Sequence, residues 1–260
     1  MTAHLQVATR DTDTPDVEDL RAVELARRSI AGDLPLRYRR KLEHDFNQRV
    51  AHAVKPGMRI LDVGSGRRPC LARDVRPLDC DYVGLDISGA ELDAAAPGSY
   101  DAGFVADVAG DRQAALEGQF DLVVSFQVLE HVRPLGAALE NMRAYLRPGG
   151  RLIVQMSGTF TPFSLLGRIV PHRVKVRFLE RFLDREPEKI FPAHYDRCWA
   201  SALERLTRTW SFTEIVPIHR GAAYLHFSKP LRALYLVYER ALVRRGLDDL
   251  AAYFILDATR

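Results

Sequence analysis

The most informative segment of this 260-residue sequence is Ile60-Leu61-Asp62-Val63-Gly64-Ser65-Gly66. It begins with a short apolar run that is typical of a buried strand, and Gly-Ser-Gly then permits a sharp turn. Because Gly64 and Gly66 carry no side chain, a ligand can approach the backbone of such a turn closely. A strand-to-helix turn without any ligand is the alternative that this segment alone leaves open.

Further strand signals follow this segment and alternate with helical stretches. They cover residues 82–86, 103–107, 120–126, 151–156, 211–218 and 250–256. Short apolar strands that alternate with helices predict a parallel sheet with helices on both faces. The sequence therefore predicts an α/β fold, Rossmann-like and doubly wound, with a mostly parallel seven-stranded sheet, N-terminal helices and helical insertions near the C-terminus.

The chain outside the sheet is expected to form appendages. Residues 1–16 are polar and acidic and predict a disordered tail, and helical spacing over about 20–32 and 36–54 predicts an N-terminal helical cap within 17–57. Residues 58–156 form the predicted core that carries the glycine turn. Residues 157–260 are expected to supply an acceptor-side lid, a helix of about 196–209, a helical insertion at 222–247 and the closing strands.

Composition excludes several classes of protein. A formal charge of +3 is too small for a dedicated nucleic-acid binder, so no nucleic-acid partner is expected. Cys70, Cys80 and Cys198 lack CxxC spacing and are typical of reduced thiols, and no carboxylate or histidine cluster has metal-ligand spacing. The sequence begins without a secretory signal and has no apolar run of about 18 residues, so a cytoplasmic protein without a metal is predicted.

Two acidic residues follow predicted strands at the edge where doubly wound sheets bind ligands. Asp86 lies 20 residues after Gly66, where a carboxylate can accept hydrogen bonds from ribose hydroxyls. Asp107 ends the next predicted strand and could accept a bond from an adenine amino group. A helix cap at Ser88 and a surface-loop aspartate are the alternatives. A dinucleotide fingerprint requires glycine at position 69, where Pro69 stands, which argues against NAD.

Five motifs follow one another in a characteristic order. They are the segment 60–66, the strand-end Asp86, Ala106-Asp107, the run from Phe120 to Val132 that contains Leu129-Glu130-His131, and Leu146-Arg147-Pro148-Gly149-Gly150-Arg151-Leu152. This series, over about residues 58–156, resembles the class I S-adenosylmethionine-dependent methyltransferases, in particular the group that methylates small molecules and lipids. The resemblance implies a methyltransferase enzyme with S-adenosyl-L-methionine as its cofactor.

The resemblance also implies which residues hold the cofactor. The implied contacts are Asp62, Gly64, Ser65 and Gly66 to the methionine part, Asp86 to the ribose, Ile87, Asp107 and Val108 to the adenine, and Ser125 and Gln127 at the border with the acceptor. Asp62 is expected to bind the methionine ammonium directly or through water. Arg67-Arg68 depart from the small residues that the family usually has there, and either place a cation near the methionine carboxylate or are simply exposed.

Three residues are candidates for acid–base catalysis. His131 follows the fourth predicted strand, with a structural role at the start of a helix as the alternative. His194 and Tyr195 precede a predicted helix and could reach over the pocket, or merely anchor that helix. No Asn/Asp-Pro-Pro-aromatic signature follows the fourth strand, which argues against methylation of exocyclic amines in DNA.

The acceptor predicted on this basis is a small molecule, a sugar or a lipid-like compound, methylated at oxygen. The alternative function is a non-catalytic methyltransferase-fold partner in a biosynthetic complex, suggested by Arg67-Arg68 and the unassigned base. Within 222–247, apolar residues at helical spacing are flanked by arginines, which is typical of a helix that contacts an anionic membrane or an amphiphile. Packing of that helix on its own domain or on a second subunit is the other reading, and a monomer or homodimer is expected.

Overall fold

A computed structural model describes residues 34–161, 164–165, 193–225 and 227–260 of the chain. The chain divides into two units, Met1–Lys41 and Leu42–Arg260. The described part of the first unit contains a 3-10 helix, Leu36–Tyr38. The predicted tail 1–16, the predicted helix at 20–32 and most of the predicted lid segment 157–193 lie outside the described residues.

Seven strands of the second unit form one sheet. They are β1 (Arg59–Val63), β2 (Asp81–Asp86), β3 (Ala102–Val105), β4 (Phe120–Phe126), β5 (Leu146–Ser157), β6 (Phe212–Ile218) and β7 (Tyr253–Thr259). Their order is β3-β2-β1-β4-β5-β7-β6, and the β1–β5 ladders are all parallel. Strand β7 runs antiparallel to both of its neighbours. The predicted α/β fold with a mostly parallel seven-stranded sheet is confirmed.

The sheet buries apolar side chains on both faces. In β1, Leu61 and Val63 belong to one hydrophobic cluster and Ile60 to the other, and in β7 Phe254 and Ile255 divide in the same way. Successive side chains of a strand point to opposite faces, so each central strand contributes to two cores. Such strands are nearly continuously apolar, which is why the sequence signal was clear for β1 and β4.

Five α-helices lie wholly within the described residues. They are α1 (His44–Ala53), α2 (Gly89–Asp93), α3 (Leu135–Tyr145), α4 (Ala200–Leu206) and α5 (Lys229–Arg245). Helix α1 is shorter than the predicted 36–54 and packs on the sheet, where the Phe46 ring lies 5.1 Å from the Phe126 ring. None of the described helices combines the length and apolarity that crossing a bilayer requires. The predicted 17–57 cap, as a domain, stays a prediction.

Two predicted boundaries near the site were wrong. Strand β3 ends at Val105 rather than Asp107, because the Asp107 carboxylate accepts a hydrogen bond from the Ala109 N–H (2.9 Å) and turns the chain out of the ladder. Helix α4 occupies only Ala200–Leu206 of the predicted 196–209. Trp199 is extended before it, and Thr207 caps its end by donating to the Leu203 carbonyl (2.8 Å).

The C-terminal region follows the predicted order with different boundaries. The insertion between the last two strands is present as a 3-10 turn, Ala222–Leu225, followed by α5. Pro230 lies in the first turn of α5, a position where proline favours the start of a helix, so α5 begins anew after the 3-10 turn. The closing strand β7 begins at Tyr253 rather than Leu250, because Asp248–Leu250 forms a 3-10 turn before it.

Candidate active site

The glycine turn lies at the carboxyl end of β1, between the ends of β2 and β4. Gly64 has a φ of +73°, and its N–H donates to the Leu85 carbonyl (2.7 Å). A Cβ at position 64 would overlap the side chain of Val128, which follows β4. Position 64 therefore requires glycine for two reasons, the backbone conformation and the close approach of the neighbouring loop.

Asp86 holds this turn in place from the end of β2. Its Oδ2 accepts a hydrogen bond from the Gly66 N–H and its Oδ1 from the Ser88 N–H, both at 2.9 Å. Tyr100 donates its hydroxyl to the Gly66 carbonyl (2.9 Å). A carboxylate offers about four acceptor positions, so Asp86 retains capacity for two ribose hydroxyls. The structure thus brings Asp86 and the glycine turn together.

Asp62 is a buried carboxylate in β1 that is only half satisfied. Its Oδ2 accepts from the Cys70 N–H and from the Tyr82 hydroxyl, both at 2.6 Å, whereas its Oδ1 is buried without a partner. Burial is the main cause that raises the pKa of Asp62 to about 6. A buried, unpartnered carboxylate oxygen is the feature that an ammonium group would complete, so Asp62 fits the predicted methionine end of the cofactor.

The residues predicted to surround the adenine follow β2 and β3. The Ala106 N–H donates to the Asp86 carbonyl (2.9 Å), which joins the two strand ends. Ile87 is 73% exposed, so its apolar side chain is accessible to an adenine ring. Asp107 is also exposed, and one of its carboxylate oxygens accepts a hydrogen bond from the Ala109 N–H. Val108 lies in the hydrophobic core, and Asn141 donates to its carbonyl (2.9 Å).

The two residues predicted at the acceptor border have different environments. Ser125 is fully buried and donates its hydroxyl to the Val63 carbonyl (2.8 Å), which ties β4 to β1. Gln127 adopts a positive φ of 57°, and its Oε1 lies 2.8 Å from the Ser157 hydroxyl while its Nε2 is buried without a partner. Gln127 therefore contacts the Ser157 hydroxyl of β5, whereas Ser125 links two strands of the sheet.

Sequence reasoning missed the most unusual carboxylate of this edge, Glu130. Its side chain is buried, Oε1 lies 2.7 Å from the Ser157 hydroxyl, and Oε2 has no partner. Burial raises the pKa of Glu130. The Ser157 hydroxyl carries one hydrogen, so its two short contacts are both satisfied only when Glu130 is protonated or Gln127 presents its amide nitrogen. Glu130 stood in the quoted Leu-Glu-His motif, but nothing in the sequence distinguished it from its neighbours.

A pair of tyrosines completes this edge and was also missed. The hydroxyls of Tyr224 and Tyr253 lie 2.5 Å apart. Tyr253 pairs with Ser157 across the β5–β7 ladder, so its hydroxyl belongs to the edge where β4 and β5 end. Burial raises the pKa of Tyr253 well above its ordinary value, with smaller contributions from Tyr224 and Glu130. The antiparallel direction of β7 brings its first residue here, which a local motif cannot reveal.

The predicted catalytic residues lie around Glu130. His131 ends a 3-10 helix, Leu129–His131, and is partly buried, and its electrostatic interaction with Glu130 acts to lower the pKa of that carboxyl. The backbone N–H groups of His194 and Tyr195 both donate to the Glu130 carbonyl (2.8 Å). Tyr195 has a φ of +50°, and its carbonyl accepts from Thr159 (3.0 Å), while the His194 side chain is exposed.

Arg67 has a partner that accounts for the departure from the family motif. Its guanidinium binds both carboxylate oxygens of Glu91 in α2, at 2.6 and 2.8 Å. Arg68 is exposed. The alternative in which Arg67 provides a cation for the methionine carboxylate does not fit this geometry, because the guanidinium of Arg67 already binds Glu91 through two hydrogen bonds.

Two clefts of about 290 and 340 Å³ lie away from these residues. The first is beside the start of β6, and the second is between α1 and Arg151 at the start of the β4–β5 ladder. Neither is lined by a residue of the glycine turn. Within the described ranges no group of three or more His, Cys, Asp or Glu is placed to hold a metal ion, and the prediction of a metal-free enzyme stays a prediction.

Comparison with protein families identifies the group to which this site belongs. A family model described as a methyltransferase domain matches residues 36–214. The chain belongs to the class I S-adenosylmethionine-dependent methyltransferases. The predicted family, enzyme class and cofactor are thereby confirmed. The match includes the glycine turn, Asp86, Asp107 and Glu130.

Curated relatives of this methyltransferase share only part of its length. It is 29% identical to a ubiquinone biosynthesis O-methyltransferase of Chelativorans sp. over 160 residues, which are 59% of this chain and 62% of the relative. It is 35% identical to a demethylmenaquinone methyltransferase of Beutenbergia cavernae over 120 residues, which are 45% and 48% of the two chains. The matches therefore cover about half to three fifths of these relatives.

Solved methyltransferase structures share the fold at low identity. The geranyl diphosphate C-methyltransferase of Streptomyces coelicolor, in complex with Mg²⁺, geranyl diphosphate and S-adenosyl-L-homocysteine, gives a TM-score of 0.53 at 14% identity and covers 96% of this chain and 86% of its own. A Haemonchus contortus phosphoethanolamine N-methyltransferase bound to S-adenosyl-L-methionine gives 0.50 at 14% identity and covers 94% and 58%.

Proposed function

We propose that this protein transfers the methyl group of S-adenosyl-L-methionine to a hydroxyl oxygen of a small molecule, a sugar or a lipid-like compound. The observation that carries this proposal is the unpartnered Oε2 of Glu130 at the carboxyl end of β4. A hydroxyl is a weak nucleophile until a base removes its proton, whereas a free amine needs no such base. A buried carboxylate with a raised pKa suits that task.

The cofactor side of the proposed site consists of groups that bind and orient. Asp62 would hold the methionine ammonium through Oδ1, and Asp86 would hold the ribose while it keeps Gly66 in place. Ile87 would cover one face of the adenine. When bound, the sulfonium supplies a methyl group that is already activated for in-line transfer. Fixing both reactants in this way can lower the barrier by roughly 7–11 kcal/mol.

On the acceptor side, Glu130 would receive the hydroxyl proton at Oε2. Ser157 stabilises the carboxylate form by a hydrogen bond to Oε1, and the electrostatic interaction with His131 acts in the same direction. Tyr195 and His194 remain candidates for contacts with the acceptor, because their backbone is bound to the Glu130 carbonyl. Methylation at oxygen is also supported by the ubiquinone biosynthesis O-methyltransferases among the relatives, whose names specify this atom.

A non-catalytic role is the weaker alternative. It was suggested by Arg67-Arg68 and by the lack of an evident base. The ion pair of Arg67 with Glu91 accounts for the first point, and Glu130 offers a base for the second. We also propose a cytoplasmic location, which the thiols of Cys70 and Cys80 support, since neither forms a disulfide and reducing compartments keep thiols reduced. A monomer or homodimer without nucleic acid is proposed as well.

The test is a transfer assay with the purified full chain. Isotopically labelled S-adenosyl-L-methionine is offered with phenols, catechols, sugars and long-chain alcohols, and with matched amines that lack a hydroxyl. Label in an ether product is the expected result. Label only in amines, or no label with any acceptor although the cofactor binds, would refute transfer to oxygen.

A further inference from the structure

Helix α5 exposes apolar side chains on one side while its opposite side is buried. Leu231, Leu234 and Val237 are 44%, 66% and 62% exposed, and they recur every third residue. Arg240 and Arg244 continue this row at spacings of three and four. With about 3.6 residues per turn, Leu234, Val237, Arg240 and Arg244 lie on one side of the helix, within about 120° of one another, and Leu231 flanks them; these five side chains are the α5 stripe.

The exposed surface of α5 carries positive charge only. Lys229, Arg240, Arg244 and Arg245 are exposed, and none of them forms an ion pair with a described residue. The one acidic residue in the helix, Glu239, is buried and accepts from the Gly221 N–H (2.6 Å) and the Ala222 N–H (3.2 Å). The helix therefore presents leucine, valine and uncompensated cations to its surroundings.

The contacts of α5 place it at the edge of the sheet where the candidate active site lies. Strand β6 ends at Ile218, which pairs with Tyr253, and Tyr253 pairs with Ser157 at the end of β5. Gly221 and Ala222, just beyond β6, are the residues that Glu239 holds. A surface that the α5 stripe contacts would thus lie beside the edge that contains Glu130 and Tyr253.

We propose that the α5 stripe docks this protein on the surface of an anionic phospholipid bilayer. Apolar side chains that enter the interface and cations that meet lipid phosphates are the two components of interfacial binding, and the stripe supplies both. A second copy of this chain is a poorer occupant, because the exposed side of α5 offers no acidic group to neutralise the partner's arginines. Docking would leave the acceptor edge beside the membrane, where lipid-like compounds are concentrated.

Sedimentation with lipid vesicles tests this proposal without cofactor or acceptor, so its failure is separate from failure of the proposed transfer. The full chain is mixed with vesicles of phosphatidylcholine alone and with vesicles that also contain phosphatidylglycerol. Binding to the anionic vesicles that weakens with added salt is expected. Equal binding to both vesicles, or none to either, would overturn the proposal.

Two double variants test the two components of the stripe. Arg240→Gln with Arg244→Gln is expected to weaken binding roughly 25-fold, since each basic residue near an anionic surface contributes about fivefold. Leu234→Glu with Val237→Glu is expected to abolish it. The matched controls are Arg205→Gln with Arg208→Gln, exposed cations on and after α4, and Leu78→Glu, an apolar side chain that is 87% exposed elsewhere.

The controls should bind vesicles like the parent, and circular dichroism should show all variants folded. Loss of binding in the controls to the same degree would overturn the proposal. Analytical ultracentrifugation distinguishes the other occupant. If the parent binds no vesicles but forms a dimer, and the Leu234→Glu with Val237→Glu variant is a monomer, the stripe is assigned to a second copy instead.

Discussion

Asp62 and Asp257 are both fully buried carboxylates of the same sheet, but their hydrogen bonding differs. Asp257 in β7 receives Arg151 through two bonds of 2.7 Å and Arg49 of α1 at 3.0 Å, so both of its oxygens face cations. Asp62 near the carboxyl end of β1 has two neutral donors on one oxygen and none on the other. Glu130, after β4, likewise has one oxygen without a partner.

This difference separates scaffold from site. A buried charge is costly unless it is paired and hydrogen-bonded, and Asp257 meets that condition within the protein while it joins α1 to β5 and β7. Asp62 and Glu130 meet it only in part, and both lie at the edge where ligands of doubly wound sheets bind. The partners that these two carboxylates lack are the ones we assign to the cofactor and the acceptor.

The largest expected effect is on catalysis by Glu130. Glu130→Gln should lower kcat for a hydroxyl acceptor by about 10²- to 10⁴-fold, because the proton acceptor is lost. In the parent, kcat should fall as pH drops through the raised pKa of Glu130, and the variant should lack this acidic limb. Steady-state kinetics against pH measure both. The control is Glu117→Gln, an exposed carboxylate, and a Glu130→Gln enzyme that keeps the parent's kcat and pH profile would exclude the base assignment.

The pH dependence of stability should distinguish Asp62 next. Its folded pKa of about 6 lies above the ordinary value of 3.8 for an aspartate, so its stabilising contribution is complete below about pH 4 and is lost as pH rises through 6. Asp62→Asn carries no such charge. Its free energy of unfolding relative to the parent should therefore improve by about 2 kcal/mol between pH 4 and 7. Urea titrations at several pH values measure this, and a constant difference would contradict the assigned burial.

Asp257→Asn should affect stability without affecting the cofactor. Removing the charge leaves Arg49 and Arg151 without their shared partner, and we expect a loss of about 2 kcal/mol, reduced from the fully buried case because both arginines are partly exposed. Calorimetric titration with S-adenosylhomocysteine should give the parent's affinity. A weakened affinity in a folded variant would show that the scaffold and the site are not separate.

The smallest pair of effects compares two serines. Ser125→Ala should cost about 1 kcal/mol of stability, because it removes the bond to the Val63 carbonyl, and should leave the pH profile unchanged. Ser157→Ala removes a bond that lowers the pKa of Glu130, so the acidic limb of kcat should move to higher pH. If the acidic limb of the kcat–pH profile shifts equally in both variants, or shifts in neither, the hydrogen bond of Ser157 has no specific effect on the pKa of Glu130.

Local sequence was sufficient for the sheet and the glycine turn, and insufficient for the acceptor side. The apolar runs of β1 and β4, and the spacing of 20 residues between Gly66 and Asp86, can each be read from one short stretch of sequence, so they could be predicted. Glu130 becomes unusual only through Ser157 of β5, and Tyr253 only through Tyr224 and the antiparallel direction of β7. The ion pair of Arg67 could not be predicted for the same reason, because Glu91 lies 24 residues away.

The most direct test of the account is calorimetric titration with S-adenosylhomocysteine of variants at the two ends of β2. Asp86, at the end of the strand, accepts a hydrogen bond from the Gly66 N–H of the glycine turn. Asp81, at the start of the strand, only pairs with Arg59 at the surface. Asp86→Ala should weaken binding by about 100-fold, as the loss of charge-assisted bonds to two hydroxyls requires, and Asp81→Ala should leave it unchanged. Equal affinities in both variants, or no binding by the folded parent, would contradict the assignment of this edge to the cofactor.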